Sequence, residues 1–245
     1  MAIAILSALA EEQQGLLERL RQPRRTERAG RSFWQGELHG QPVVLALSRI
    51  GKVAAATTVT TLIEAFGARQ LVFTGVAGGI GPGVQVGDVV VATDFVQHDM
   101  DASPLFPRYQ IPLYGRERFV CDVRLSAALL DATRAGLREL GLQATVHHGL
   151  IASGDRFVSA AAEAMQLHKV LSEAGHPPLA VEMEGAAVAQ VCHDYGIPFA
   201  AMRTISDRAD DTAHVDFPKF VNEVASRYAL AILDDFMRDL GQSRV

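Results

Sequence analysis

Apolar residues along the chain fall into short unbroken runs that alternate with stretches of helical spacing. The run at 2–9 predicts a first strand buried on both faces. A helix is predicted over 11–21, with Leu16, Leu17 and Leu20 on one face. Residues 33–50 predict a hairpin turning at 39–42, and a small-residue helix follows over 52–66, closed by Gly67. Further strands are predicted at 70–75, 88–99, 145–154 and 199–206. Helices are predicted at 123–140, closed by Gly141, at 160–171 and at 185–195, which 178–184 runs into. A long closing helix spans 215–240. No internal repeat or linker interrupts the pattern, so 1–245 reads as one α/β domain. Its sheet is mixed, mostly parallel and twisted, with helices on both faces.

In such sheets ligands bind beyond the carboxyl ends of the strands. Polar residues collect at those ends: Ser7 with Glu11 and Glu12, Thr74-Gly75, Ser153-Gly154-Asp155, Glu182 to Glu184, and Ser206-Asp207. Five strand ends converging on one face would make a site.

Composition narrows the class. At 245 residues, 49 % hydrophobic and 21 % charged, the chain has the profile of a soluble globule with a sizeable core. The net charge is −5, and the densest basic stretch, 21–28, reads as a solvated polar connection and not a nucleic-acid patch. Cys121 and Cys192 form no CxxC pair, which fits a reduced, cytoplasmic protein. The first apolar run is too short to span a bilayer and lacks a basic region before it, and no later run reaches ~18 apolar residues.

Several motifs fail on inspection. The glycine cluster 75–83 has no G-x-G-x-x-G register, and strand-like sequence follows where a helix is required. It reads as a tight turn, or as a place where small residues admit a ligand close to the backbone. No GxxxxGK[ST] or G-x-S-x-G occurs. His98-Asp99-Met100-Asp101 offers metal-ligand types without a matching second cluster, so no metal or other cofactor is expected.

The carboxylates remain. Glu12 has a plain reading as a surface residue of a first helical turn, and Asp207 as a turn or N-cap residue. Glu182 and Glu184 resist such readings, because Ala180-Val181 and Ala186-Ala187-Val188 flank them. At least one should face the pocket at the strand ends, since burying an acid merely to stabilise a core is costly.

The segments SALAEE (7–12), IGKVAAA (50–56), TGVAGG (74–79), VGD (86–88), SGDRFV (153–158), AVEMEGAAVAQVC (180–192) and ISDRAD (205–210) recur in that order and spacing in one family. The chain resembles the 5′-methylthioadenosine/S-adenosylhomocysteine nucleosidases of the purine nucleoside phosphorylase superfamily, over nearly its whole length. The resemblance implies hydrolysis of the N-glycosidic bond of these adenine thionucleosides. It makes Asp207 the acid that protonates N7 of adenine, with Ser206 holding its carboxyl group, and Glu12 the base for the attacking water. Glu184 would accept hydrogen bonds from the ribose hydroxyls and Met183 would pack under the sugar. Phe157 would stack on adenine, and the backbone of Val158 would read the base edge. Ile50 and Phe217 would line the sugar and alkylthio pocket, and Arg203 would lie near ribose and water. The strand-end residues Val76, Ala77 and Gly78 complete the implied binding set, while the role of Glu182 transfers less clearly.

The residue types suit the reaction. Adenine leaves readily only once N7 is protonated, and general acid help of this kind contributes ~10²–10⁴-fold. The oxocarbenium-like sugar left behind is stabilised by carboxylates placed in advance. A desolvated pocket would favour the protonated acid this needs at Asp207. Two features depart from the family pattern. Val76 stands where several relatives carry serine near the water, which shifts water placement towards Glu12 and Arg203. The segment 103–119 is longer than in compact members. In the family this region reaches a partner's active site, so a homodimer is expected, with Phe106, Tyr109 or Pro112 capping the neighbour's pocket. Aminofutalosine hydrolysis, phosphorolysis with Arg49 as a hydrogen-bond donor to the phosphate, and nucleoside binding without catalysis are the competing readings.

Overall fold

A computed structural model describes residues 2–209 and 220–242. Its strands are β1 (Ala2–Ser7), β2 (Arg21–Arg28), β3 (Arg31–Leu38), β4 (Gln41–Leu47), β5 (Ala68–Phe73), β6 (Val76–Gly79), β7 (Val89–Gln97), β8 (Arg118–Val120), β9 (Val146–Ser153), β10 (Ala180–Glu182) and β11 (Phe199–Asp207). The helices are α1 (Gln14–Arg19), α2 (Lys52–Phe66), α3 (Val123–Glu139), α4 (Ala161–Glu173), α5 (Gly185–Tyr195) and α6 (Ser226–Gln242), the last preceded by a π-helical turn, Val221–Ala225.

The strands form one mixed sheet in the order β2-β3-β4-β1-β5-β11-β6-β10-β9-β7-β8. Pairing is parallel where β1 meets β4 and β5, where β11 meets β5 and β6, and where β9 meets β10 and β7. It is antiparallel in the β2–β3–β4 meander and where β6 meets β10, β7 meets β8, and β11 meets β7. Because β11 pairs with both β6 and β7, the strands β11, β6, β10, β9 and β7 close into a ring. Every residue of β11 is buried. Its polar end, Ser206-Asp207, lies beside Ala77 and Gly78 of β6.

Alternation along the strands divides the core into layers. In β1, Ala4 and Leu6 join a cluster with α2 and α5, while Ile3 and Ile5 join one with α1, α3 and α6. Of these, Ile3, Ile5 and Leu6 each contribute about 1.5–3 kcal/mol by burial. Helix α2 ends where the sequence predicts: Gly67 takes a left-handed φ of 65° and its N–H returns to the Ile63 carbonyl at 3.2 Å. Helix α3 begins on Asp122, whose carboxylate accepts the Leu125 N–H at 2.8 Å.

Four expectations need correction. The basic stretch 21–28 is an edge strand, β2, not a loop. Both its faces are largely exposed, so no alternation of apolar residues marks it, and its arginines suit a sheet edge that must not recruit another strand. The glycines taken as a tight turn include β6, paired between β11 and β10. A Cβ on Gly79 would meet Ile205 Cγ2 and Val84 Cγ1 at 3.0 Å, so close packing of backbone explains the small residues. The predicted helix 11–21 shortens to α1, which leaves Glu12 in the preceding turn. The short strand β8 carries no periodic signal and was not anticipated. Of the closing helix, residues 215–219 and with them Phe217 lie outside the described residues.

Candidate active site

The ends of β1, β6, β10 and β11 and the loop after β9 surround a cavity of about 430 Å³. Glu12, Ile50, Val76, Ala77, Gly78, Phe157, Val158, Met183, Glu184, Arg203, Ser206 and Asp207 all line it. The remaining wall includes Glu182, whose role the sequence left open, Gly75 from the polar strand ends, and Ala8, Leu9, Arg156 and Val181, which sequence reasoning did not select. Their signal is position alone, beside the strand ends.

Glu12 is buried, not a surface residue of a helix turn. The turn after β1 is anchored by Gln13, whose Nε2 donates to the Ala46 carbonyl at 3.0 Å. Within it the Glu12 carboxylate accepts the Ala8 and Leu9 N–H groups, both at 2.9 Å, and reaches across to the Val76 N–H at 3.1 Å. Burial pushes its pKa up to about 7, against the opposing pull of those N–H groups and of Arg203. A carboxylate poised there can take a proton from water near neutral pH. Glycine at 75 leaves room for this approach, since a Cβ there would lie 3.2 Å from Glu12 Oε1.

The two acids around Met183 have separate tasks. Glu182 ends β10, and its carboxylate accepts the Glu184 N–H at 3.2 Å, the Gly185 N–H at 2.9 Å and Arg203 Nη2 at 2.7 Å. It also accepts from the Ser153 hydroxyl, whose oxygen in turn takes the Ala186 N–H at 2.8 Å. Glu182 thereby caps α5 with a negative charge at its N-terminus. Glu184, the N-cap residue by position, does not use its side chain to cap. Its carboxylate crosses the cavity mouth to accept the Gly51 N–H at 2.9 Å. Burial, then the neighbouring Glu182 charge, hold Glu184 well above the usual carboxylate range. A hydroxylated ligand would offer this acid further donors. Glycine at 185 is required by space: a Cβ would fall 2.1 Å from the Phe95 ring.

Asp207 is buried opposite Glu12. Ser206 Oγ donates to its Oδ2 at 2.7 Å, and the Ala209 N–H to its Oδ1 at 2.7 Å. A Cβ at Gly78 would stand 3.0 Å from Oδ1, so β6 must present glycine there. Arg203, with Cζ 3.9 Å from the centre of the Phe73 ring, is held by Glu182 and by the Met202 carbonyl at 3.0 Å.

Asp99 belongs to another network. It accepts Lys52 Nζ at 2.6 Å and the Asp155 N–H at 2.9 Å. Among the described residues no group of three or more His, Cys, Asp or Glu is arranged to hold a metal. Phe106, Tyr109 and Pro112 do not line the cavity of their own chain. Tyr109 is buried there, edge-on to His176 with ring centres 5.7 Å apart.

A family model described as the Phosphorylase superfamily matches residues 2–238. The chain belongs to that superfamily. A 5′-methylthioadenosine/S-adenosylhomocysteine nucleosidase of Anoxybacillus flavithermus is 39 % identical over 227 residues, covering 92 % of this chain and 93 % of that one. An aminodeoxyfutalosine nucleosidase of Campylobacter jejuni is 35 % identical, covering 90 % and 92 %. Among solved structures, a 5′-methylthioadenosine/S-adenosylhomocysteine nucleosidase of Neisseria meningitidis in complex with methylthio-immucillin-A superposes with a TM-score of 0.87. It is 35 % identical over 97 % of this chain and 99 % of that one. The architecture of this superfamily member thus extends over the whole cavity wall described above.

Proposed function

We propose that the chain is a nucleosidase, one domain from 1 to 245, that hydrolyses the N-glycosidic bond of 5′-methylthioadenosine and S-adenosylhomocysteine. One observation carries the reading most: three buried acids, Glu12, Glu184 and Asp207, face one largely apolar cavity from three different elements. A site for binding alone would not need acids on both the water side and the base side. The strong likeness to the Anoxybacillus and Neisseria nucleosidases supports the same substrates.

In this reading adenine lies against Phe157 with its N7 towards Asp207. The proton on Asp207 passes to N7 as the glycosidic bond breaks, and its electron pair leaves with the base. Glu184 accepts the ribose hydroxyls, and once ionised it opposes the positive charge growing on the sugar. Met183 packs beneath the ring. Water held by Glu12 adds to C1′ from the opposite face and gives its proton to that carboxylate. Val76 contributes its N–H to Glu12 rather than a hydroxyl to the water, so the base itself sets the water's position. Adenine and the 5-thioribose product result, and no cofactor is consumed.

The identity to the Campylobacter enzyme favours aminodeoxyfutalosine as a second substrate. Phosphorolysis is disfavoured because Arg203, the cation deepest in the cavity, is committed to Glu182. We read the protein as cytoplasmic and homodimeric. No described helix is long and apolar enough to cross a membrane. Exposed Ile50, Val53, Leu105 and Leu113 supply apolar surface near α2 and the 103–119 segment for a partner to cover. Phe106 and Pro112 then suit the neighbour's pocket better than the already buried Tyr109.

Chromatography of the protein incubated with methylthioadenosine, adenosylhomocysteine or aminodeoxyfutalosine, each with and without phosphate, tests this. Adenine with the free sugar, indifferent to phosphate, is expected. Sugar 1-phosphate, or no adenine from any of the three, would overturn the proposal.

A further inference from the structure

A second cavity, of about 450 Å³, lies against the first and shares Ala8 with it. Its wall includes Arg31, Ser32, Trp34 and Arg49. Arg49 directly precedes Ile50, which lines the active cavity, so the two spaces meet at both Ala8 and this step of chain.

The two arginines are unusual in their partners. Arg31 donates to the Ala29 carbonyl at 2.9 Å and the Ala54 carbonyl at 3.4 Å, and Arg49 donates to the Gly30 carbonyl. Neither forms an ion pair among the described residues. Arg31 Nε is buried with no hydrogen-bond partner. Burial, then the Arg49 charge, hold Arg31 below its ordinary value. The Arg49 backbone is also held at φ 63°, in the left-handed region. A non-glycine residue there costs of order 1–3 kcal/mol and marks functional positions more often than others. Guanidinium groups match carboxylates through paired, parallel hydrogen bonds.

We propose that this cavity is a subsite for the carboxylate at the end of a nucleoside's 5′ substituent, received between Arg31 and Arg49. The inference rests on the nucleosidase reading for the placement of the base and sugar, with the 5′ group leaving past Ile50. Adenosylhomocysteine ends in an amino-acid carboxylate, whereas methylthioadenosine ends in a methyl group. The subsite therefore sets the ranking of the two, favouring the charged substrate.

Calorimetry with both nucleosides on protein carrying Asp207→Asn measures binding without turnover. Adding Arg31→Gln or Arg49→Gln is expected to weaken adenosylhomocysteine roughly tenfold, the value of one charged hydrogen bond, and to leave methylthioadenosine within about twofold. Arg49→Gly removes the guanidinium while relieving the left-handed backbone, and the same selective loss is expected. Equal losses on both nucleosides, or none on adenosylhomocysteine, would overturn the subsite. Inorganic phosphate separates the other source of an anion. Competition with adenosylhomocysteine and not methylthioadenosine supports the subsite, whereas phosphate-stimulated turnover lost in Arg49→Gly assigns the arginines to phosphorolysis and refutes it. Turnover by the unsubstituted protein is scored separately. If it hydrolyses neither nucleoside the nucleosidase reading fails, while the binding selectivity still decides the subsite.

Discussion

Arg203 Nη2 donates to Glu182 Oε2 at 2.7 Å, with side-chain exposures of 1 % and 3 %. The pair joins the end of β10 to the middle of β11 and so fixes the separation of the elements that carry Glu184 and Asp207. Breaking a buried pair by removing one partner costs about 3–5 kcal/mol, because the other charge is left uncompensated. Glu182→Gln is accordingly expected to lower stability by that amount in denaturant titration, and to reduce turnover through misplaced Glu184. A stability within about 0.5 kcal/mol of the parent, the range of ordinary surface changes, would contradict the structural role of Glu182.

Glu12 sets a pH dependence of defined sign. As the base it must be ionised, so the acid limb of kcat/KM should rise with pH up to about 7. Stability moves the other way. The folded carboxyl holds its proton up to about 7 while the unfolded one releases it near 4.5, so the contribution of Glu12 to stability is fully present below 4.5 and is lost as pH rises between those values. Glu12→Gln should abolish the acid limb of activity and flatten that slope in stability. Glu184 is displaced in the same direction, so Glu184→Gln is the companion measurement. A kcat/KM flat across the neutral range in active protein would remove Glu12 as the base.

In the proposed mechanism Asp207 is the acid, and Ser206 and the Ala209 N–H hold its carboxyl group. Asp207→Asn keeps the shape and removes the transferable proton. Turnover should fall ~10²–10⁴-fold while nucleoside affinity changes little. Single-turnover kinetics beside equilibrium binding separates the two. Unchanged turnover would mean that another group protonates the base.

Part of this site was legible in the sequence because two of its acids interrupt apolar runs at strand ends. Asp207, closing the all-buried β11, and Glu184, between apolar flanks, are those two. The helix 52–66 and its terminal Gly67 were equally plain, since period and left-handed glycine agree. What escaped depends on contacts distant in sequence. The burial of Glu12 comes from Val76, 64 positions away. Strand β2 has no apolar face to reveal it, and β6 consists largely of glycine and alanine whose role is to let β11 and β10 approach. The division of labour between Glu182 and Glu184 required Arg203 and Gly51 to be placed.

The clamp between Lys52 and Asp99 leads to a prediction about substrate positioning. Lys52 Nζ donates to Asp99 Oδ1 at 2.6 Å, and Asp99 Oδ2 accepts the Asp155 N–H at 2.9 Å. Asp155 Oδ1 completes the circuit by accepting the Lys52 N–H at 2.7 Å. The circuit ties the start of α2, where Gly51 holds Glu184, to the loop that carries Phe157. It thus couples the sugar side of the cavity to the base side without lining it. The Lys52–Asp99 pair is partly exposed and adds little to stability by itself, about 0–1 kcal/mol. The backbone bonds it orients matter more, since hydrogen bonds to charged groups contribute about 1.5–3 kcal/mol. Asp99→Asn, which leaves an oxygen acceptor but removes the charge, should raise KM several-fold with kcat nearly intact. Asp99→Ala should raise KM further, roughly tenfold or more, because the Asp155 N–H then loses its acceptor. Steady-state kinetics on both variants, beside thermal unfolding, decides the point. A fall in kcat at constant KM would place Asp99 in the chemistry instead, and unchanged KM in Asp99→Ala would show that the two sides of the cavity hold their places independently.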